Sequence, residues 1–331
     1  MLRPALDRFS PDPVLESELA QGLARVEAAL DQAVRSEYPF VTAASRHLVD
    51  AGGKRFRPLL VLLSAHFGDP SRPAVISAAV AVELTHVATL YHDDVMDEAA
   101  VRRGADTANA RWGNSVAILT GDFLFARSSG ILADLGPDAV RIQAQTFERL
   151  CTGQILESVG PADGMDPVKH HLAVLADKTG SLIATSCRYG AMMSGAGSDV
   201  TEILTRFGEL IGVAFQLADD IVDITSDSVQ SGKTPGIDLR EGVPTLATLM
   251  ALRSEDPADD RLRELLGRPL PDDAEHAEAL ALLRGHVALD EARAEAGRWA
   301  DEARLVLDSL PEGAPKSALA TLCDYVVTRT G

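Results

Sequence analysis

The sequence predicts an all-α protein, a single large bundle of helices. Ala, Leu, Arg and Glu dominate the chain, and the alternation of β-branched residues that marks strands is rare. Joints such as Gly52-Gly53 and Gly136-Pro137 divide the chain into segments of helix length. We therefore expect about a dozen helices of roughly 12 to 27 residues, and no strands bounded by hairpin turns.

The length fits one large domain. At 331 residues the chain can bury a deep core, and no linker separates two such cores. We predict a single domain over residues 1–331, with its functional motifs at 40–250 and an acidic helical tail region at 254–331.

Composition and charge exclude several classes of protein. Hydrophobic residues make up 46% of the chain, which is too many for a disordered protein. A net charge of −18 argues against binding to nucleic acid and against electrostatic docking on anionic lipid. No apolar run reaches the ~18 residues of a membrane helix, and residues 1–10 lack the apolar segment of a secretory signal. Cys151, Cys187 and Cys323 lie far apart without a CxxC pair, so we expect buried thiols in a cytoplasmic protein.

Two aspartate clusters with the same DDxxD spacing are the first sign of chemistry. Asp93 to Asp97 follows an apolar helical run at 74–91, and Asp219 to Asp223 follows another at 203–218. On a helix, residues i and i+4 share a face, so the outer aspartates of each cluster repel one another. Exposed helix ends in water could tolerate this repulsion once, whereas divalent cations explain it in both clusters. Carboxylate oxygens suit Mg²⁺, which adds water and substrate phosphate as ligands, and the charge of the six aspartates would balance three ions.

Basic residues beside glycines are the second sign. The segment GGKRFRP combines a tight glycine turn with Lys54 and Arg57, which can meet an anion near the helix that Pro58 begins. Arg102 and Arg103 follow the first aspartate cluster as a second basic pair. Together with the aspartates, these groups indicate a substrate that carries phosphate.

Six segments occur in the order and spacing of a known family. They read GGKRFRP, HDDVMDEAAVRRG, GDFLFARS, KTGSL, FQLADDIVDI and GKTPGIDLREGVPT. They resemble the trans-isoprenyl diphosphate synthases, the polyprenyl synthetase family, and in particular its long-chain polyprenyl diphosphate synthases. The resemblance implies an all-α bundle around a central cavity, the isoprenoid synthase fold, in a homodimer. It also implies a Mg²⁺-dependent prenyltransferase that joins isopentenyl diphosphate to an allylic diphosphate head to tail (1′-4).

The resemblance assigns a role to each residue that matches a family motif. The carboxylates that hold Mg²⁺ are Asp93, Asp97, Asp219 and Asp223, with Asp94 and Asp220 in support. The groups that bind isopentenyl diphosphate are Lys54, Arg57, His86 and Arg103. The groups that bind the allylic diphosphate are Arg102, Lys178, Thr179, Gln216 and Lys233. The residues that stabilise the reacting charge, and are catalytic in that sense, are Asp93, Asp97, Arg102, Lys178, Asp219 and Lys233.

These residue types fit the implied reaction. Ionisation of the allylic C–O bond builds negative charge on the leaving diphosphate, which Mg²⁺, Lys and Arg stabilise. The carbocation must be kept from water, so its cavity should be dry and apolar. The isopentenyl double bond then attacks, and the departing diphosphate can take the proton that is lost. We assign no protein general base.

The length of the product depends on how deep the cavity is. The residues five and four positions before Asp93 are Ala88 and Thr89, which are small where short-chain members of the family often carry an aromatic. We therefore expect a polyprenyl diphosphate longer than C20. The alternative is geranylgeranyl or farnesyl diphosphate, with a deeper blocking side chain; Phe123 and Phe125 could form such a floor or be ordinary core residues.

Other readings of the chain have less support. A terpene cyclase or a head-to-head synthase would lack the second DDxxD cluster or the GGKRFRP segment. A subunit of a heteromeric synthase remains an alternative, either non-catalytic or catalytic but dependent on a partner, although all the aspartates and basic groups are present here. We also expect transient membrane contact when a long product is released.

Overall fold

The computed structural model describes residues 12–226 and 235–328, and helices account for most of them. The first helices are α1 Pro13–Ala33, α2 Pro39–Asp50, α3 Phe56–Ala65, α4 Pro73–Met96, α5 Ala108–Trp112, α6 Asn114–Leu135, α7 Pro137–Val159 and α8 Pro167–Leu175. After a π-helical turn at Ala176–Gly180, the helices are α9 Ser181–Ser194, α10 Ser198–Thr225, α11 Ile237–Glu241, α12 Leu246–Ala251, α13 Asp260–Leu266, α14 Asp273–Arg284, α15 Val287–Val306 and α16 Ala314–Thr328. Single 3₁₀ turns lie at Pro257–Asp259 and Leu307–Ser309. The all-α prediction is confirmed.

Two sequence-based expectations are wrong: the structure contains a hairpin, and its helices vary more in length than expected. Strand β1 (Val101–Arg102) pairs antiparallel with β2 (Ala105–Asp106). The two residues between them, Arg103 and Gly104, have φ values of 54° and 77°, as a two-residue type I′ turn requires. Two-residue strands are too short to show alternation, so the sequence pattern missed them. The helices also range from 5 residues in α5 to 28 in α10.

The described residues form two compact units. The first comprises residues 12–148, 182–208 and 309–319. The second comprises residues 149–181, 209–308 and 320–328. The single domain over 1–331 stays a prediction.

The core of the first unit is built on α4. This helix packs against α6, α3 and α1, and it is apolar on nearly every side, which is typical of a helix buried in a core. Pro73 lies in its first turn, where its missing N–H costs nothing. The helix ends at Met96, just before Glu98 takes a φ of 50°. The first aspartate cluster therefore lies at the end of a rigid, buried helix.

Two helices of the first unit are long and apolar. By length and composition alone, α4 and α6 could cross a membrane, although most of α4 is buried inside the structure. Two such helices are weak evidence for a membrane span, because the core helix of a soluble protein meets the same criterion. The expectation that no apolar segment reaches this length was too strict, since single polar residues such as Glu83 interrupt the run but not the helix.

The core of the second unit collects apolar residues from α10 and from the helices that follow it. Leu217, Leu246, Leu265, Leu283 and Leu289 are among its buried members. Side-chain caps fix the helix starts: Asp272 accepts hydrogen bonds from the first turn of α14, and Thr245 and Thr248 form a capping box at α12. The acidic tail region thus buries the apolar faces of its helices and leaves most of its charges in water.

The cysteines differ from expectation at one position. Cys187 and Cys323 are buried, but Cys151 is exposed on α7. All three are free thiols. Because Cys151 lies on the solvent side of its helix, the expectation of three buried thiols is corrected to two.

Candidate active site

One face of α4 carries four of the predicted site residues. His86, Thr89, Asp93 and Asp97 follow one another at intervals of three or four residues, and each keeps some exposed surface. Asp97 is the cap residue of the helix, and its N–H donates to the carbonyl of Asp93 at 2.8 Å. The helix period alone thus places the outer aspartates of the first cluster on the face that carries His86.

Asp94 points away from that face and is fully buried. Its Oδ1 atom accepts a hydrogen bond from Arg102 Nε in β1, and Asn109 Nδ2 donates to its carbonyl at 3.1 Å. Its Oδ2 atom has no partner among the described residues. Burial raises the pKa of Asp94, while Arg102 opposes that shift. Asp94 therefore anchors the hairpin to the end of α4, in keeping with its predicted supporting role.

Arg55 organises the glycine turn before α3. It is 4% exposed and is the cap residue before α3, with a φ of 47°. The helix begins at Phe56, two residues before the predicted Pro58. Its Nη1 donates to Glu83 Oε1 at 3.0 Å, and its Nε donates to Glu27 Oε1 at 2.6 Å. Its Nη2 donates to the carbonyl of Val49 at 3.1 Å. The turn is thus tied to α1, α2 and α4 by one guanidinium group.

The hairpin and the glycine turn are joined by Arg103. Its Nη1 donates to the carbonyl of Leu48 at 3.0 Å and to the carbonyl of Gly52. A Cβ at Gly53 would lie 3.0 Å from Arg55 Nη1 and 3.1 Å from Arg103 Nη2, so a side chain there would displace the ends of both guanidinium groups. Lys54 lies exposed on the same turn. The structure therefore brings together the predicted residues of GGKRFRP and of the RRG hairpin.

The arginines of these segments act on the charge state of His86. Burial lowers the pKa of the His86 ring well below its usual range, and four guanidinium groups lower it further. These groups are Arg57, Arg103, Arg102 and Arg55. Burial also lowers the pKa of Arg57 to about 10, and the Nε atom of Arg57 has no hydrogen-bond partner in residues 12–226 or 235–328. A neutral imidazole beside an excess of partly buried positive charge suits a bound anion such as a diphosphate.

Gln216 connects the predicted residues of the second unit. Its Oε1 accepts a hydrogen bond from Thr179 Oγ1 at 3.2 Å, and its Nε2 donates to Asp220 Oδ1 at 2.9 Å. Gln216, Asp219 and Asp223 keep some exposure and follow the helix period along α10. The predicted common face of Gln216 and Asp219 is therefore present.

Asp238 joins the second aspartate cluster and was missed in the sequence. Its N–H donates to Asp223 Oδ2 at 3.4 Å. Burial and the charges of Asp223, Glu241 and Glu157 raise the pKa of Asp238 to about 7. Burial likewise raises the pKa of Asp220 well above its usual range. The only sequence signal for Asp238 was its place in the matched segment GIDLREG.

Lys178 and Thr179 lie in the π-helical turn Ala176–Gly180. The Nζ atom of Lys178 forms an ion pair with Glu157, which also accepts a hydrogen bond from Gln154 Nε2 at 3.2 Å. Lys233, predicted to bind and act on the allylic diphosphate, lies outside the described residues.

The carboxylates fit Mg²⁺. In the part of the chain that the structure describes, no three His, Cys, Asp or Glu side chains converge to enclose a metal ion. The clusters instead offer two carboxylates each at i and i+4, from Asp93 and Asp97 and from Asp219 and Asp223. Mg²⁺ binds proteins through one or two carboxylates and keeps other positions for water and phosphate, so this donor set suits it.

Ala88 and Thr89, the predicted chain-length residues, face different ways. Ala88 has no exposed surface, and a Cβ at Gly121 of α6 would lie 3.1 Å from its carbonyl oxygen. Thr89 keeps some exposure, and its Oγ1 donates to the carbonyl of His86 at 2.8 Å. Thr89 therefore shares the face of Asp93, whereas Ala88 packs towards α6.

A cavity of about 380 Å³ lies between α6 and α7 in the first unit. Its lining is mainly apolar and consists of Asp122, Phe125, Ser129, Leu132, Val140, Gln143, Ala144 and Phe147. Of the two phenylalanines predicted as a deeper floor, Phe125 lines this cavity and packs on Phe147 with ring centroids 4.3 Å apart. Phe123 instead packs against the guanidinium of Arg127.

The fold and these two groups of side chains define an enzyme of the isoprenoid synthase fold. The chain belongs to the polyprenyl synthetase family, because the family model described as "Polyprenyl synthetase" matches residues 38–283. The predicted family, fold class and prenyltransferase activity are thereby confirmed.

Three relatives illustrate the similarity. A nonaprenyl diphosphate synthase from Mycobacterium tuberculosis is 50% identical over 321 residues, which cover 97% of this chain and 96% of that protein. Heptaprenyl diphosphate synthase component 2 from Geobacillus stearothermophilus is 39% identical over 316 residues, which cover 95% of this chain and 97% of that protein. The crystal structure of geranylgeranyl pyrophosphate synthase from Corynebacterium glutamicum, complexed with calcium and isoprenyl diphosphate, matches this structure with a TM-score of 0.88. The two sequences are 45% identical, and the match covers 97% of this chain and 99% of that chain.

Proposed function

We propose that this prenyltransferase condenses isopentenyl diphosphate with an allylic diphosphate, head to tail, to make an all-trans polyprenyl diphosphate longer than C20. The observation that carries the proposal is the group of arginines that acts on His86, on the helix that ends in the first aspartate cluster. Arg57 and Arg103 of this group are partly buried, and the Nε atom of Arg57 has no hydrogen-bond partner among the residues that the structure describes. Such a group binds a diphosphate next to carboxylates that can hold its counter-cations.

The first unit supplies the isopentenyl diphosphate site. Arg57 and Arg103 provide positive charge that buried carboxylates balance only in part, and Lys54 adds a mobile ammonium on the glycine turn. His86 stays neutral near pH 7 because of its surroundings, so it can donate one hydrogen bond without adding to the repulsion among the arginines.

The second unit supplies groups for the allylic diphosphate. Thr179 and Gln216 are held by their mutual hydrogen bond, and Lys178 exchanges its pairing with Glu157 for the more strongly charged diphosphate. By resemblance alone, Arg102 and Lys233 also belong to this set.

Magnesium ions would supply positive charge to the leaving diphosphate when they are bound. Asp93 and Asp97 would hold two of them, and Asp219 with Asp223 would hold the third. The calcium in the Corynebacterium glutamicum structure is a divalent cation in a relative of the same fold, which supports this proposal.

The product length follows from the face of α4 and from the relatives. Thr89 leaves room one turn before Asp93, where a bulky side chain would close the path. The names of the Mycobacterium and Geobacillus relatives specify products of nine and seven prenyl units. The geranylgeranyl alternative is supported by the name of the Corynebacterium relative. The relative at 50% identity favours the longer product.

A homodimer is the proposed assembly, and the cytoplasm is the proposed location. Leu119 on α6 is 65% exposed, and Ile118 beside it is also exposed, so this helix offers an apolar surface to a second copy. The Geobacillus relative is named as one component of a synthase, which keeps dependence on a different partner subunit as the second candidate. We propose no nucleic acid partner, and membrane contact only during product release.

The release of diphosphate tests the proposed reaction directly. Purified protein should release diphosphate only when Mg²⁺, isopentenyl diphosphate and farnesyl diphosphate are all present. Release of diphosphate from the allylic substrate alone would indicate a cyclase, or a hydrolase that cleaves the allylic C–O bond. No release with any allylic substrate, at protein concentrations that keep it dimeric, would favour the missing partner.

A further inference from the structure

The π-helical turn at Ala176–Gly180 is an uncommon backbone feature. A π turn inserts one extra residue into a helix, and such turns concentrate at functional sites. The extra residue rotates the side chains on either side by about 100° relative to a regular helix. The directions in which Lys178 and Thr179 point therefore depend on whether this turn stays π-helical.

Arg149 of α7 clamps the turn. Its Nε donates to Asp177 Oδ1 at 2.7 Å, and its Nη2 donates to the carbonyl of Ala176 at 3.3 Å. Its Nη1 donates to Glu209 Oε1 of α10 at 2.7 Å. One guanidinium thus joins the turn both by a side chain and by a backbone oxygen, and connects it to the helix that carries Gln216.

The packing around the turn is also close. A Cβ at Gly153 would lie 2.7 Å from the backbone nitrogen of Lys178, and one at Gly180 would lie 3.3 Å from the carbonyl of Glu209. The hydroxyl of Ser181 donates to the carbonyl of Asp177 at 2.5 Å. Side chains therefore serve two carbonyl oxygens of the turn, and glycines let the neighbouring helices approach it.

We propose that Arg149 is a positioning residue for the allylic diphosphate, because it holds the π turn in the form that aims Lys178 and Thr179. The proposal rests on the proposed roles of those two residues. Arg149 acts through the turn, because its three guanidinium nitrogens donate to Asp177, Ala176 and Glu209. Without the guanidinium, the turn is free to leave the π-helical form. The side chains of Lys178 and Thr179 then no longer point towards the allylic diphosphate.

The test compares Arg149→Met, Arg149→Lys and Lys178→Met with the wild-type enzyme. Arg141→Met is the matched control, because Arg141 lies on the same helix and pairs only with exposed Asp138 in the structure described. We expect Arg149→Met to raise the KM for farnesyl diphosphate by about tenfold and to leave the KM for isopentenyl diphosphate within about twofold. Arg149→Lys should restore part of the loss, because it keeps the charge but not the three-way fork.

The outcomes separate the two levels of the proposal. If Lys178→Met leaves the KM for farnesyl diphosphate unchanged, the proposed role of Lys178 is wrong and the inference falls with it. Suppose that Lys178→Met raises the KM for farnesyl diphosphate. If Arg149→Met then leaves that KM unchanged, or raises the KM values for farnesyl diphosphate and isopentenyl diphosphate equally, Arg149 is not a positioning residue for the allylic substrate. Should Arg149→Met fail to fold by circular dichroism, Asp177→Ala, which removes the side-chain acceptor of Arg149 Nε, is expected to shift the same KM selectively.

Discussion

Arg55 and Glu83 form a buried ion pair in the first unit, with Nη1 of the arginine 3.0 Å from Oε1 of the glutamate. The two residues are 28 positions apart in the chain, and neither side chain has appreciable contact with water. Glu27 provides the second carboxylate to the same guanidinium. The pair connects α4, which carries the first aspartates, to the turn that carries Lys54.

Removal of one partner of this pair should destabilise the protein strongly. Arg55→Met leaves Glu83 as a buried charge without its direct partner, so we expect the free energy of unfolding to fall by about 3–5 kcal/mol. Arg46→Met, which breaks only the half-exposed ion pairs of Arg46 with Asp31 and Asp50, should cost less than about 1 kcal/mol. Urea unfolding measures both, and equal losses in the two variants would show that the buried pair has no special role.

The carboxylates of the first cluster should determine the response to Mg²⁺. Asp93→Asn removes one proposed ligand, so we expect kcat to fall by about 10²-fold or more and the Mg²⁺ concentration for half-maximal rate to rise. Asp134→Asn, on the exposed side of α6, should leave both values unchanged. Steady-state rates across a Mg²⁺ titration, and full loss of activity with EDTA, check this expectation. A drop in rate without a shift in the Mg²⁺ requirement would contradict the assignment of Asp93 as a ligand.

Bulk on the exposed face of α4 should shorten the product. Thr89→Phe places a ring on the face of Asp93, so products should end at fewer prenyl units than in the wild type. Ala88→Phe should shorten the product less, because Ala88 packs towards α6 and not on that face, and it should cost about 1–3 kcal/mol because the site is fully buried. Leu305→Phe, on an exposed position of α15, is the control. The lengths of the dephosphorylated products are measured for each variant. Products of unchanged length in both α4 variants would contradict the proposed role of Thr89 and Ala88 in setting product length.

Acid should weaken the first unit through His86. Burial and the nearby arginines lower the pKa of His86 in the folded state, so below about pH 6.5 the unfolded chain binds a proton that the folded ring does not. Its contribution to stability is therefore complete above about pH 6.5 and is lost as the pH falls, by up to about 1.4 kcal/mol per pH unit. Urea unfolding between pH 7.5 and 5.5 should show a smaller loss for His86→Gln than for the wild type. Identical slopes would show that the ring is not held neutral.

The sequence predicted the arrangement of those site residues that lie close together in the chain. The aspartate clusters lie where the helix period places them, and GGKRFRP with the RRG pair comes together around His86 as the motifs suggested. Local spacing suffices for these because i and i+4 neighbours are set by the helix itself.

The remaining features depend on contacts between distant segments. No local pattern reports that Arg55 meets Glu83, or that Arg149 meets a turn 27 residues further on. The π turn looks helical in the sequence, since Ala176–Gly180 has no breaker until its final glycine. A lone glutamate in the apolar run of α4 was the available signal for Glu83, because a buried acid requires a cationic partner.

The most direct test of the central claim is the length of the product. Purified protein is incubated with Mg²⁺, labelled isopentenyl diphosphate and farnesyl or geranylgeranyl diphosphate in detergent, and the dephosphorylated products are sized. We predict a distribution that ends well beyond C20. Products that stop at C15 or C20 would contradict the proposed chain length, and the absence of any condensation product would contradict the proposed activity of the chain on its own.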